Sequence, residues 1–492
     1  MTPETADSWD VIVIGAGPPG ENAADYAGRD GLTTALVERE LVGGECSYWA
    51  CMPSKALLRP AELLGAARAM PGLKEAVGPL ALDVASVLDR RDSFTSHHDD
   101  SGQVSWAQGA GIDVVRGHGR LRGEKTVEVT TADGMVRTLT ARHAVVLATG
   151  TRAAVPPIPG LGEALPWTSR DVTNLHEVPE AVVVIGGGVV ACESVTWLRA
   201  LGCRTVTLVE GGARLLGRTE PFAGELVAES LRDAGVILHL GRTVTAVERG
   251  ELVEPREGYG HGGPVTVTLD DGTTITADEV LVAAGRVPNS DGIGLESVGV
   301  SPNAHGYVDV DDHMGVPGTE WLYAIGDLCG KALLTHMGKY QARVAGDVIA
   351  ARAGGRALDD ERFVDLADAG AVPQVTFTEP EVGSVGLTVA EAQERGIDVE
   401  AVEYDLGQVA GASLLRDGYT GRANLVIDRR RDVVVGATFV GSGVAELVHS
   451  ATVAIIGEVP VSRLWHAVPS YPTVSEIWLR LLETLRQQRR TP

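Results

Sequence analysis

Apolar positions along this chain come in short blocks with a recognisable rhythm. Val11 to Ile14 form a β-branched run with no polar face, the pattern of a parallel strand buried on both sides. A glycine turn, a helical stretch and a second apolar strand, "TTALVE", follow. The same order returns later in "EAVVVIGGGVVACESVTWLRALGCRTVTLVE": strand, glycine turn, helix, strand, acid. Each unit is trailed by alternating, turn-rich stretches, "TVEVTTADGMVRTLTARHAVVLATG" and "PVTVTLDDGTTITADEVLVAAG", which end in a buried strand and a glycine. The pattern predicts an α/β protein built from a duplicated unit.

The turns carry chemistry. Gly15, Gly17 and Gly20 have G-x-G-x-x-G spacing, and Glu38 ends the next strand eighteen residues after Gly20. In a dinucleotide-binding turn the first glycine makes the bend and the second lets backbone approach a pyrophosphate. The third allows close helix–strand packing, and the acid accepts a ribose hydroxyl. The second unit repeats this with Gly186, Gly188, Ala191 in the third small position, and Glu210. Two Rossmann-like folds imply two nucleotides. A flavin that stays bound and a nicotinamide that exchanges form the economical pair, because hydride can pass between them.

Composition narrows the setting. A chain of 492 residues is too long for one core, and 44% apolar residues suffice for several. The net charge of −24 argues against a nucleic-acid partner. The N-terminal stretch has no basic leader pattern, and no uncharged apolar run reaches the ~18 residues of a membrane span. A cytoplasmic setting is therefore expected. Five cysteines are too few for a disulfide-stapled scaffold. Two of them, Cys46 and Cys51, share the stretch "GGECSYWACMPSK". No second C-x-x-C or histidine cluster accompanies them, so no metal site is expected. Five residues of ideal helix rise ~7.5 Å, too far for a disulfide. A bridge therefore needs irregular backbone, which Gly43 and Gly44 can supply. On this ground alone a redox pair and two unrelated thiols both remain open. Cys192, Cys203 and Cys329 read as small buried apolar residues, His97, His98 and Asp99 as a solvated helix end or loop, and "RQQRRTP" as a frayed, solvated helix tail.

Taken together and in order, these motifs resemble the pyridine nucleotide-disulfide oxidoreductases of the glutathione reductase, dihydrolipoamide dehydrogenase and mercuric reductase group. The resemblance covers nearly the whole chain. It implies FAD at "GAGPPG" and Glu38, a handover between domains at Thr149 and Gly150 ("VLATGTR"), and a nicotinamide at "GGGVVACE". It further implies a returning strand at "AAGRVPN", which includes Gly285, and a second FAD contact at Asp327 ("YAIGD"). Cys51 would be the charge-transfer thiolate, Cys46 the interchange thiol, and Lys55 and Glu193 an ion pair on the nicotinamide side. The expected domains are 1–155 and 285–366 for FAD, 156–284 for NAD(P)H, and 367–492 for a C-terminal α+β interface through which two chains form a homodimer.

One position departs from the group. Its thiol-reducing members carry a base histidine directly before Pro-Thr, with a glutamate four residues beyond the proline. Here Pro472, Thr473 and Glu476 are present, but Tyr471 holds the histidine's position. Mercuric reductases also lack that histidine, yet they have a C-terminal cysteine pair that this chain does not. The expectation is an FAD enzyme that takes hydride from NAD(P)H and reduces a small-molecule acceptor through a Cys46–Cys51 disulfide. The acceptor is a small disulfide such as lipoamide, or a non-thiol such as a quinone or metal ion, which suits Tyr471 better. A redox sensor without turnover is the contrasting class, opposed by the intact nicotinamide turn. Glu210 followed by Gly211 and Gly212 favours NADH over NADPH.

Overall fold

The Val11–Ile14 run lies at the middle of a seven-stranded sheet. In the computed structural model, which describes residues 7–490, the chain packs as two compact units. The first runs to Pro53, resumes over Asp92–Ala153 and closes with Gly285–Ala369. The second takes Ser54–Arg91, Ala154–Ala284 and the chain from Gly370 onward.

In the first unit β1 (Asp7–Ile14), β2 (Thr34–Glu38), β3 (Ile112–Arg116), β4 (His118–Gly123), β5 (Thr126–Thr130) and β6 (Val136–Leu147) order as β3-β2-β1-β6-β5-β4. The short strand Leu322–Ala324 pairs with β6. Strands β3, β2, β1 and β6 are parallel neighbours, and β4 and β5 form an antiparallel meander. Val11 and Val13 pack with Ala23 and Ala24 of α1 (Pro18–Gly28) and with Val344 and Val348 of the helix Thr335–Ala353. Ile12 and Ile14 pack on the opposite side with Leu121, Val127 and Leu322. Both faces are covered, which is why this strand alternates with nothing polar. A two-stranded antiparallel ribbon joins β7 (Thr151–Ala153) to Arg286–Pro288.

The second unit holds the repeat. Strands β8 (Ala181–Ile185), β9 (Thr205–Glu210) and β10 (Ile237–Leu240) lie in a parallel sheet of order β10-β9-β8 followed by Glu279–Val282. A three-stranded antiparallel sheet, Val244–Arg249, Val265–Leu269 and Thr274–Ala277, stands beside it in sequence. The C-terminal part is a five-stranded antiparallel sheet with Val433–Gly441, buried along its whole length, at its centre. The helices Val448–Ile456 and Ile477–Gln488 cover it. The second of these buries Ile477, Leu481, Leu482 and Leu485, one face at helical spacing.

The C-terminal tail differs from its sequence reading. The helix continues to Gln488, and Arg489 bonds Glu400 at 2.6 Å and Asp432 at 2.7 Å. Those acids are distant in sequence, so the anchoring has no local signature. Thr491 and Pro492 lie outside the described residues, as do residues 1–6 of the N-terminal stretch. Among the described residues no helix is long and apolar enough to cross a membrane, and no cluster of His, Cys, Asp and Glu could hold a metal ion.

Candidate active site

The first glycine turn is held by backbone sterics. Gly15 has φ +101°, and a Cβ there would stand 2.4 Å from the Ala148 carbonyl oxygen. A Cβ on Gly20 would meet the Gly15 carbonyl oxygen at 1.9 Å, so α1 and the turn touch directly. Gly17, the N-cap of α1, has only a proline carbon near the space its side chain would fill, and no side chain caps the helix. Pro18 and Pro19 open this helix and carry no N–H, so Gly17 and Gly20 supply the N–H groups that an anion would meet at this turn. Glu38 ends β2 and accepts bonds from the N–H of Ala16 at 2.7 Å and of Glu40 at 2.7 Å. Burial pushes its carboxyl above the ordinary range, against the lowering effect of these two bonds. The bare turn, the uncapped helix and the acid together fit a dinucleotide.

The second turn has the same construction. Gly186 has φ +116°, with the Ala283 carbonyl oxygen 2.5 Å from an added Cβ. Gly188 caps the helix Val189–Ala200 with open space around it and no side-chain bond. Ala191 is fully buried in that helix. Glu210 ends β9, accepts from the Gly212 N–H at 2.5 Å, and lies against Gly187. This set also fits a dinucleotide.

The cysteines meet because the helix breaks between them. Cys46 lies in α2 (Gly44–Tyr48), Cys51 opens α3 (Cys51–Ala69), and Trp49 interrupts the two at φ −133°, ψ 0°. The irregular backbone expected at Gly43 and Gly44 is therefore joined by a second irregularity that falls after Cys46. The two glycines serve a different contact: a Cβ on Gly44 would lie 2.6 Å from the Gly17 Cα, so the cysteine loop packs on the nucleotide turn. Both cysteines are free thiols, half-buried. A hydrogen bond shared with Cys51, reinforced by burial, raises the Cys46 thiol above its ordinary pKa. Cys51 Sγ lies 3.4 Å from the hydroxyl of Thr335, the first residue of the helix Thr335–Ala353.

Aromatic side chains brace the loop. The Tyr48 hydroxyl donates to the Val42 carbonyl at 2.9 Å. The His98 ring lies tilted against two of them, 5.9 Å from Tyr48 and 5.4 Å from Trp49 between ring centres. Its expected place in a solvated loop is thus not what the fold gives it, since packing against a distant loop outweighs its polar neighbours. Cys192, Cys203 and Cys329 are buried, and burial raises all three thiols, that of Cys203 to about 11.

Asp327 accepts from the Thr151 hydroxyl at 2.7 Å, and burial raises its carboxyl. Thr149 donates its hydroxyl to the Asn289 carbonyl at 2.8 Å, and Asn289 returns a bond to the Thr149 carbonyl at 2.9 Å. Gly150 and Gly285 flank the ribbon with φ of +68° and +125°.

In the second unit Lys55, one helical turn beyond Cys51 on α3, bonds Glu193 Oε2 at 2.7 Å. The Glu193 side chain is 4% exposed and that of Lys55 37%. The other carboxylate oxygen accepts from the Phe377 N–H at 2.9 Å, and the lysine nitrogen stands 4.8 Å from the Phe377 ring centre. Tyr471 is 75% exposed and precedes a cis proline, Pro472. Glu476 is 5% exposed; one of its oxygens accepts from Arg480 and the other is buried with no partner among the described residues. Sequence reading passes over Thr335, Phe377, Thr151, Glu45 and Arg286. Only the first three letters of "GRVPN" hint at the last of them.

Known proteins share this arrangement. Residues 9–347 match the pyridine nucleotide-disulphide oxidoreductase family, and residues 372–481 match its dimerisation domain. A mercuric reductase of Staphylococcus aureus is 31% identical over 95% of this chain and 81% of its own length. A dihydrolipoyl dehydrogenase of Chlamydia muridarum is 30% identical over 96% of this chain and 96% of its own. The crystal structure of LpdA from Mycobacterium tuberculosis superposes with a TM-score of 0.81 at 25% identity, covering 98% of this chain and all of that one. The paired nucleotide turns and the dimerisation domain therefore belong to one scheme: the chain is a member of the pyridine nucleotide-disulphide oxidoreductase family, a flavoprotein oxidoreductase.

Proposed function

We propose that this protein uses NADH to reduce an acceptor through a Cys46–Cys51 pair that cycles between disulfide and dithiol. The observation that carries the reading is the pair of free, half-buried thiols on either side of the helix break at Trp49. A flavin held at the first turn supplies two-electron transfer between the nicotinamide and the pair. The chain's own residues do the rest. Gly17 and Glu38 hold the first nucleotide, Asp327 adds a half-buried acceptor to the same unit, and Gly188 and Glu210 hold the second. Lys55 neutralises Glu193, which Phe377 fixes in place. Closing the pair to a disulfide passes two electrons to the acceptor, and the two thiol protons go to a quinone or to the leaving thiolates of a disulfide, or to solvent when the acceptor is a metal ion.

Tyr471 argues for an acceptor that needs no proton returned to a leaving thiolate, such as a quinone or a metal ion. A phenol near pKa ~10 keeps its proton at pH 7, whereas an imidazole near ~6.5 can both take and give one. The identity to dihydrolipoyl dehydrogenases supports a second reading, reduction of a small disulfide. Two cations follow Glu210 closely in the chain, Arg214 and Arg218, and NADH preference is supported by the first of them, whose guanidinium is spent on the carbonyls of Gly217 at 2.9 Å and Thr219 at 3.2 Å. A homodimer is supported by the dimerisation domain, where Val453, Ile456, Val468 and Tyr471 are exposed. The test is an acceptor panel of lipoamide, glutathione disulfide, quinones and Hg²⁺ with each nicotinamide. Turnover surviving Cys46→Ser with every acceptor would overturn the role of the pair.

A further inference from the structure

We propose that Phe377 is a positioning residue for the Lys55–Glu193 pair: its N–H fixes the carboxylate, and its ring face holds the lysine ammonium in a direction that the carboxylate alone leaves open. The proposal rests on the reading of that pair as the group that serves hydride passage from the nicotinamide. Lys55 comes from α3 and Glu193 from the helix Val189–Ala200, which follows the second glycine turn. Phe377 directly follows the strand Pro373–Thr376. All three residues lie in the second unit. Thr376 pairs with Val382 in an antiparallel ladder, so the backbone that presents the Phe377 N–H is held by a sheet. The ring packs against the core that includes Leu57 of α3 and Ala191 and Val195 of the Glu193 helix. Both the N–H and the ring of Phe377 are thus anchored.

The two members of the pair are held unequally. Glu193 has both oxygens engaged, Oε2 by Lys55 at 2.7 Å and Oε1 by the Phe377 N–H at 2.9 Å. Lys55 has a long flexible stem, a side chain 37% exposed, and among the described residues one carboxylate partner. A single bond to one oxygen lets the ammonium pivot, and water competes for its remaining N–H donors. The ring of Phe377 supplies a second point of hold. Its centre lies 4.8 Å from the lysine nitrogen, inside the ~6 Å within which a ring face attracts a cation. An aliphatic side chain would fill the same space without that attraction. The direction of the ammonium matters because a charged group misplaced by a fraction of its reach stabilises a passing hydride less well.

The experiment uses the FAD-loaded enzyme and two readouts. Stopped-flow absorbance gives the rate of flavin reduction by NADH, and brief acetylation at pH 8 with peptide mass spectrometry gives the reactivity of Lys55. Phe377→Leu keeps the N–H and loses the ring. It should slow flavin reduction about two- to fivefold and speed acetylation of Lys55 by about the same factor, the measure of a partly exposed cation–ring contact. Phe377→Tyr, which keeps the ring face, should return both readouts to wild-type values. In a Lys55→Met background Phe377→Leu should change flavin reduction no further, because the ring then has no cation to hold. A Phe377→Leu protein with both readouts at wild-type values overturns the proposal. So does a slowing of equal size with and without Lys55, which marks a packing role alone. If Lys55→Met by itself reduces the flavin at the wild-type rate, the reading of the pair fails instead, and Lys55 acetylation still decides whether the ring holds the lysine.

Discussion

Replacing Lys55 by methionine should harm this protein more than replacing its partner Glu193 by glutamine. The reason is the unequal burial of the two. Glu193 is 4% exposed and its Oε2 is met by the lysine nitrogen at 2.7 Å. Without Lys55 the carboxylate keeps, among the described residues, the Phe377 N–H alone, and a charge is left in a nearly dry site. Breaking a buried pair in this way costs ~3–5 kcal/mol. Lys55 is more than a third exposed, so water already weakens the pair, and ~2–3 kcal/mol is the better expectation. Glu193→Gln keeps an oxygen for Phe377 and lets Lys55 turn to solvent, at a cost of ~1 kcal/mol. The double variant should lie near Glu193→Gln alone, because the stranded charge is gone. Urea unfolding followed by tryptophan fluorescence, at pH 8 and pH 5, measures all four proteins. The Lys55→Met deficit should shrink at pH 5. An unpaired buried carboxyl has its folded pKa raised above its unfolded one, so its penalty is largest at high pH and disappears once both states are protonated. A Lys55→Met protein no less stable than Glu193→Gln at pH 8, or a deficit that grows on acidification, would refute the reasoning.

Burial pushes the Glu21 carboxyl up to about 7, with Lys339 opposing the shift and Glu38 adding to it, and its Oε1 has no partner among the described residues. Stability should therefore fall as pH rises from ~4.5 to ~7, and Glu21→Gln should raise the unfolding free energy measured in urea at pH 8 by ~2–3 kcal/mol yet change little at pH 4. Tyr471→His should raise disulfide reduction by ~10-fold or more and leave quinone reduction unchanged. The unpartnered oxygen of Glu476 is available to an imidazole while Arg480 holds the other; steady-state rates on both acceptors, with and without Glu476→Gln, measure this. The KM for NADH should be lower than that for NADPH, and Arg214→Met should leave the preference intact because that guanidinium serves backbone carbonyls. A preference for NADPH would mean that another cation reads the ribose.

The amino-acid sequence by itself determines the two strand–turn–helix units, because everything they require is local. A run such as Val11–Ile14 must be buried on both faces, and the turn at Gly15 admits no Cβ beside the Ala148 carbonyl. The class of fold follows from that local code and its repetition. The surroundings of the cysteines are not local. Arg286 lies 241 positions from Glu45, and Phe377 lies 184 positions from Glu193. No periodicity links such residues, so only the folded chain selects them. The same holds for His98, which a polar run of neighbours marks as solvated and which packs instead on Tyr48 and Trp49. It holds too for the break at Trp49, a residue with no turn chemistry of its own, whose backbone leaves the helix and lets Cys46 and Cys51 meet. Backbone geometry is written into short stretches of chain by sterics, whereas the charge and contacts around a thiol depend on which distant side chains the packed core leaves beside it.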